Sequence, residues 1–128
     1  MITLLYGSIL GMLLLHMSIR VMLLRRSHAV GLGAGQHHDL EKAIRAHANL
    51  IEYAPLALIL IALLELNAAP AWQLHSLGAT LVVARLLHAW GLSHHSGISF
   101  GRAVGMLGTM LVILAAAVLG LLRWFSGP

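Results

Sequence analysis

Residues 45–66 read RAHANLIEYAPLALILIALLEL. The second half of this stretch is almost wholly apolar, and the whole is long enough to cross a bilayer, which takes about 20 residues. Yet its first turns hold an arginine, an asparagine and a glutamate. A charged side chain inside a membrane is costly and faces a bundle interior, a water-filled cavity or a partner. The stretch therefore predicts a transmembrane helix that brings a polar cluster to a protein site.

The rest of the chain agrees. Its 128 residues are 59% hydrophobic and 9% charged, with a mean hydropathy of +0.89. A water-soluble domain carries about 25% charged residues, so this composition predicts an integral membrane protein. Four spans are expected, at 2–24, 45–66, 70–91 and 102–122. The connections are short, and one of them, GLGAGQHHD, is glycine-rich. Together they predict an all-α, four-helix up-and-down bundle forming a single domain over residues 1–128. Arg20, Arg25 and Arg26 follow the first apolar run and no basic segment precedes it, which makes it a retained helix and not a cleaved signal. There is no cysteine, so disulfides and thiolate chemistry by the protein are excluded.

Arg25, Arg26, Lys42 and Arg102 border the first and third loops, whereas the other side carries Arg123. The positive-inside rule puts those two loops in the cytoplasm and both termini outside. Trp72 and Trp124 then fall near one interface and Trp90 near the other. The net charge of +4 comes with no basic stripe interleaved with aromatics, so nucleic acid is not an expected partner.

With 3.6 residues per turn, Asn49 lies about 40° from Arg45 around the helix, and Glu52 about 20° to the other side. Tyr53 flanks this face and His47 points away from it. Arg20, Arg85 and Arg102 lie at similar depth on the other spans, with His88 on the same face as Arg85. Glu52 is the carboxylate that faces this set of cations. The surplus of positive charge calls for an anionic ligand gripped by guanidinium groups, with Glu52 and Asn49 suited to an ammonium and an amide. A zwitterionic, multiply carboxylated, peptide-like molecule fits that description. The plain alternative is a polar clasp that fixes helix packing, with Glu52 paired to Arg20 or Arg85.

The pattern Arg45-x-x-x-Asn49-x-x-Glu52-Tyr53-x-Pro55, with the paired arginines closing the first span and arginines in the third and fourth, resembles the MAPEG family, membrane-associated proteins in eicosanoid and glutathione metabolism. EKAIRAHANLIEYAPLALIL and VVARLLHAWGLSHH are similar to small bacterial inner-membrane members. The resemblance implies a homotrimer that binds glutathione as co-substrate between subunits, near the cytosolic face. It implies glutathione contacts for Arg25, Arg45, Asn49, Glu52 and Tyr53, and a catalytic role for Arg102 in holding the sulfur as a thiolate. His88 stands where the leukotriene-forming enzyme has a tyrosine that contacts glutathione.

The implied function is a microsomal-type glutathione transferase or peroxidase. It would attack lipophilic electrophiles or hydroperoxides that enter from membrane lipid. The family also has members without transferase activity, so a non-catalytic lipid- or glutathione-binding protein is the alternative. A small multidrug exporter would need an acidic residue in its first helix, and this one has His16 and Arg20 there. The His37–His38 and His94–His95 pairs invite a metal reading. Adjacent histidines diverge, however, and no supporting carboxylate spacing is evident, so no metal site is expected. Gly7-x-x-x-Gly11, Gly105 and Gly108 are expected at close helix contacts.

Overall fold

The computed structural model describes residues 1–94 and 99–126, with the side chains of 93 and 94 excepted. It consists of α1 (Ile2–Ser27), α2 (His38–Leu66), α3 (Ala71–His94) and α4 (Phe100–Ser126), with no strand among the described residues. The four-helix bundle expected from the sequence is the observed fold. The helices overrun the expected spans at their ends: α2 starts seven residues before Arg45, and it continues unbroken through Pro55.

Three of the helices, α1, α2 and α4, are long and apolar enough to cross a membrane by themselves. The third, α3, has 24 residues, enough to span about 30 Å at 1.5 Å per residue. Its Gln73, His75, Arg85 and His88 lower its hydropathy, and it turns Arg85 and His88 inward, where they are 2% and 8% exposed.

The packing is a rhombus. The helices α2 and α3 pack on each other, α1 lies against both, α4 lies against both from the far side, and α1 and α4 are not neighbours. The buried face of α2 is Leu40, Ala43, Ala46, Leu50, Ala54, Ala57, Ile61 and Leu64. This is a stripe at spacings of three and four, as expected for a helix packed along one side. Its alanines allow close approach to the neighbours, which matters where lipid supplies no hydrophobic drive for helix association. Apolar side chains cover the outside, and Trp72, Trp90 and Trp124 are exposed near the helix ends, as interfacial tryptophans are.

Glycine sets the α3–α4 spacing. A Cβ at Gly105 would lie 2.5 Å from the Ala84 carbonyl oxygen and 2.6 Å from the His88 nitrogen, and one at Gly108 would lie 3.1 Å from the Ala84 Cβ. The expectation for Gly7 and Gly11 is corrected within this chain. A Cβ at Gly7 would meet only Leu58, at 4.0 Å, and one at Gly11 would meet nothing within 4 Å. The glycine that admits a neighbour to α3 from α1 is Gly78, which accommodates the Tyr6 ring.

Polar links tie α1 to the centre. Tyr6 Oη and His75 Nδ1 are 2.9 Å apart. Ser18 Oγ donates to the Leu14 carbonyl at 2.9 Å, which uses its one proton. His47 Nε2, 2.9 Å from the same oxygen, is therefore the donor in that contact. At one end of the bundle, Glu65 accepts hydrogen bonds from the Ile2 and Thr3 amides. This places a carboxylate on the exposed N–H groups and positive dipole end of α1.

Candidate functional site

At the end of the bundle that bears the first and third loops, Arg85 leaves α3 and runs into the interior. Its Nη1 donates to Asn49 Oδ1 at 2.7 Å and makes a longer contact of 3.4 Å with the Asn49 carbonyl. Its Nη2 reaches the Gly105 carbonyl at 3.4 Å. Its Nε is buried without a partner. No carboxylate pairs with Arg85 among the described residues, although an ionised group in so enclosed a place is normally matched by a counter-charge.

One turn along α3, His88 Nδ1 lies 3.2 Å from the Arg102 carbonyl. A carbonyl oxygen only accepts, so Nδ1 carries the proton, and Nε2 of the neutral ring is an acceptor. Arg102 sits in the first turn of α4. Its amide donates to Ser99 Oγ at 3.3 Å, and the Ala103 amide bonds the Ser99 carbonyl at 3.1 Å. Ser99 is thus the N-cap of α4. Sequence reading missed it and started the fourth span at Arg102. The serine just before Phe100, a residue type favoured at helix starts, was the available signal.

Asn49, His88, Ser99, Arg102, Ala103 and Met106 line a cavity of about 330 Å³, within the usual size range of small-molecule sites, about 300–1,000 Å³. Among the described residues the cavity has no acidic lining residue. The N-terminus of α4 adds backbone N–H groups and the positive end of a helix dipole, a combination that favours anions. A larger, mostly apolar cavity of about 1170 Å³ lies at the opposite end, with Leu60, Leu64, Asn67, Gln73, Arg123 and Trp124 in its wall. It is bigger, but its titratable group is Arg123, which already donates to the Asn67 carbonyl, whereas the smaller cavity sets a histidine beside an arginine. The smaller cavity is the better candidate site on chemistry.

The structure therefore brings together Asn49, His88 and Arg102 of the residues expected from the sequence. Arg45 and Glu52 are exposed on the outer face of α2, and Tyr53 is half-buried; none of the three lines the cavity. Of the two partners that the polar-clasp alternative offered Glu52, Arg20 or Arg85, Arg85 goes to Asn49 instead, because Asn49 lies on the inner side of α2 while Glu52 is exposed. Arg25 is also outside the cavity, and its Nη1 donates to the Gly33 carbonyl at 2.9 Å.

Among the histidine pairs, His37 and His38 diverge as expected. His38 Nδ1 lies 3.6 Å from Glu41, while the His37 ring stacks on that of His28, centroids 3.9 Å apart. The His94–His95 pair lies outside the described side chains.

A helical bundle with membrane-spanning length defines an integral membrane protein, and this one carries a cavity with an arginine and a histidine in its wall at one end. The sequence pattern of the MAPEG family matches residues 3–122, and the chain belongs to that family. It is 34% identical over 125 residues to the inner membrane protein YecN of Escherichia coli K12, covering 98% of this chain and 92% of that one. The YecN protein of Escherichia coli O6:H1 matches to the same extent.

Proposed function

We propose that the cavity formed by Asn49, His88 and Arg102 binds glutathione and holds its sulfur as a thiolate for attack on lipophilic electrophiles from the bilayer. The observation that carries this reading is the cavity itself. It joins an arginine and a helix N-terminus with no acidic lining residue, beside a buried arginine that lacks a counter-ion. A nearby cation lowers a thiol's pKa, and the thiolate is the nucleophile. Attack on an electrophilic carbon gives a thioether. Attack on a hydroperoxide oxygen gives an alcohol and an oxidised glutathione sulfur, which a second glutathione resolves as the disulfide.

In this reading Arg102 faces the sulfur, and Asn49 and His88 hydrogen-bond the peptide. Arg45, Glu52, Tyr53 and Arg25 act from the open face of a neighbouring copy, so that a homotrimer completes each site. The exposure of Arg45 and Glu52 in the single chain supports a face covered by another subunit. Membership of a family associated with glutathione metabolism supports the ligand. The relatives' description as inner membrane proteins supports that location, with the first and third loops cytoplasmic.

One observation favours the non-catalytic alternative, a lipid- or glutathione-binding protein of the same fold. The amide oxygen of Asn49 is already engaged by Arg85, which leaves its NH₂ group to meet a ligand. A titration of the detergent-purified protein with glutathione separates the readings. An ultraviolet thiolate band that saturates at neutral pH and disappears in Arg102→Ala, with conjugation of a model electrophile lost in parallel, is the expected outcome. Saturable binding without the thiolate band moves the protein to the non-catalytic class.

A further inference from the structure

The loop between α1 and α2 is built rather than slack. At the end of α1 the Ala29 amide bonds the Arg26 carbonyl at 3.3 Å, and the Val30 amide bonds the Arg25 carbonyl at 3.0 Å. Ala29 itself is left-handed, with φ 53°. This is the paired-bond helix ending usually made with glycine. Gly33 and Gly35 also take positive φ, 68° and 58°, and turn the chain back toward α2. The Arg25 guanidinium holds the Gly33 carbonyl.

These bonds deliver His28, at the end of α1, against His37, the residue before α2. The two rings stack with an interplanar angle of 14°. His37 makes no side-chain capping bond to its helix. From the first turn of α2, Asp39 places Oδ2 2.9 Å from His28 Nε2. Its Oδ1 accepts the Leu40 amide at 2.8 Å, which fixes the carboxylate. One ligand atom from each of His28, His37 and Asp39 falls within 4.8 Å of the others, and His28 and His37 are both half-buried.

We infer that His28, His37 and Asp39 form a binding site for a divalent transition-metal ion. Two imidazoles and one carboxylate select borderline ions such as Zn²⁺, Co²⁺, Ni²⁺ or Cu²⁺ over Mg²⁺ and Ca²⁺, which prefer oxygen ligands. A metal in place of the proton between His28 and Asp39 draws the three ligand atoms to about 2.0–2.2 Å from one centre and leaves a position for water. The hydrogen bond from the Leu40 amide to Oδ1 and the helix ending around Ala29 supply the supporting shell that orients ligands. Bound there, the ion bridges the end of α1 to the start of α2 at the loop-bearing end of the bundle. His38 is excluded from the set because its ring goes to Glu41.

The test uses full-length protein without a histidine tag, stripped with chelator in detergent and titrated with Co²⁺ and with Zn²⁺. The expected result is one Co²⁺ per chain with visible d–d absorption, displaced by Zn²⁺, and a melting temperature that rises with Zn²⁺ as ligand linkage requires. Affinity falls by at least about tenfold in His28→Ala, His37→Ala and Asp39→Asn and is unchanged in His38→Ala. Helix content by circular dichroism shows whether each variant is folded. The wild-type titration decides the matter even where a variant is not. Absence of saturable binding at one ion per chain overturns the site. So does binding that survives in folded His28→Ala and His37→Ala, which would assign it to other histidines.

Discussion

At one end of the bundle, Glu65 accepts the Ile2 and Thr3 amides, and Arg123 Nη1 donates to the Asn67 carbonyl at 2.8 Å. Those charges finish helix and loop ends that would otherwise expose backbone polar groups. At the other end, Arg85 is buried against neutral oxygens, with Nε unmatched, and the cavity beside it is lined by Arg102 and the N-cap of α4. The same residue types close backbone ends at one end and border a cavity at the other. What sets Arg85 apart from Glu65 and Arg123 is that it is buried with no carboxylate beside it among the described residues.

Substitutions at the two ends should therefore behave differently. The largest effect is expected for Gly105→Leu. Even a Cβ there would press on the Ala84 carbonyl and the His88 backbone, so the change should force α3 from α4 and open the cavity. Overpacking of this kind costs about 1–3 kcal/mol or more, read as a lowered melting temperature in detergent. Gly11→Leu, which meets open space, should stay within about 0.5 kcal/mol. Equal losses in the two would mean that the α3–α4 contact is not special.

Next comes Asn49→Ala, which strips the buried Arg85 of its 2.7 Å acceptor. A loss of about 1–3 kcal/mol is expected from an orphaned buried donor. Adding Arg85→Met should recover part of it by removing the unmatched charge. Failure of that double variant to recover would show that Asn49 acts through packing alone.

At the closed end, Glu65→Gln should cost about 0.3–1 kcal/mol, the usual worth of a carboxylate at a helix N-terminus. Binding of glutathione at the far cavity should not change. A loss of binding would show that the two ends are coupled.

The smallest effect concerns Asp39, outside the membrane. The His28 ring, and then the Leu40 amide, hold its carboxyl below the ordinary value. A carboxylate with a depressed folded pKa adds stability above its unfolded value, about 3.9, and loses it as pH falls through the folded one. Protection of the α1–α2 loop amides, corrected for the pH dependence of intrinsic exchange, should therefore be steady from pH 7 to about 5 and fall below about 4. Asp39→Asn should lack that acid-dependent step.

Much of this arrangement was legible in the sequence, and the limits are physical. Apolar run lengths gave the four helices, whereas helical spacing put Asn49 on one face with Arg45 and Glu52, which the structure leaves exposed while Asn49 turns to Arg85. Charge and depth alone offer Glu52 either Arg20 or Arg85 as a partner. Spacing along α2 reports which residues share a face, but not which edge of that face meets α3. Glu65 and Ile2, 63 residues apart, find each other only because α1 and α2 run antiparallel. His28 was hidden behind a nine-residue separation from His37, closed by a left-handed alanine that carries no sequence signal. Gly7 and Gly11 match the small-residue packing pattern, yet Gly11 meets no neighbour within 4 Å and Gly7 meets only the tip of Leu58.

The central claim, that the Arg102 end holds an anionic thiol ligand while the Arg123 end does not, is tested most directly by equilibrium dialysis of labelled glutathione. Wild type, Arg102→Ala and Arg123→Ala would be compared in the same detergent. Saturable binding in wild type and in Arg123→Ala, weakened at least about tenfold in Arg102→Ala, is the expected result, since loss of one charge-assisted contact of about 1.5–3 kcal/mol corresponds to that factor. Binding that is unchanged in Arg102→Ala, or lost in Arg123→Ala instead, would contradict the account.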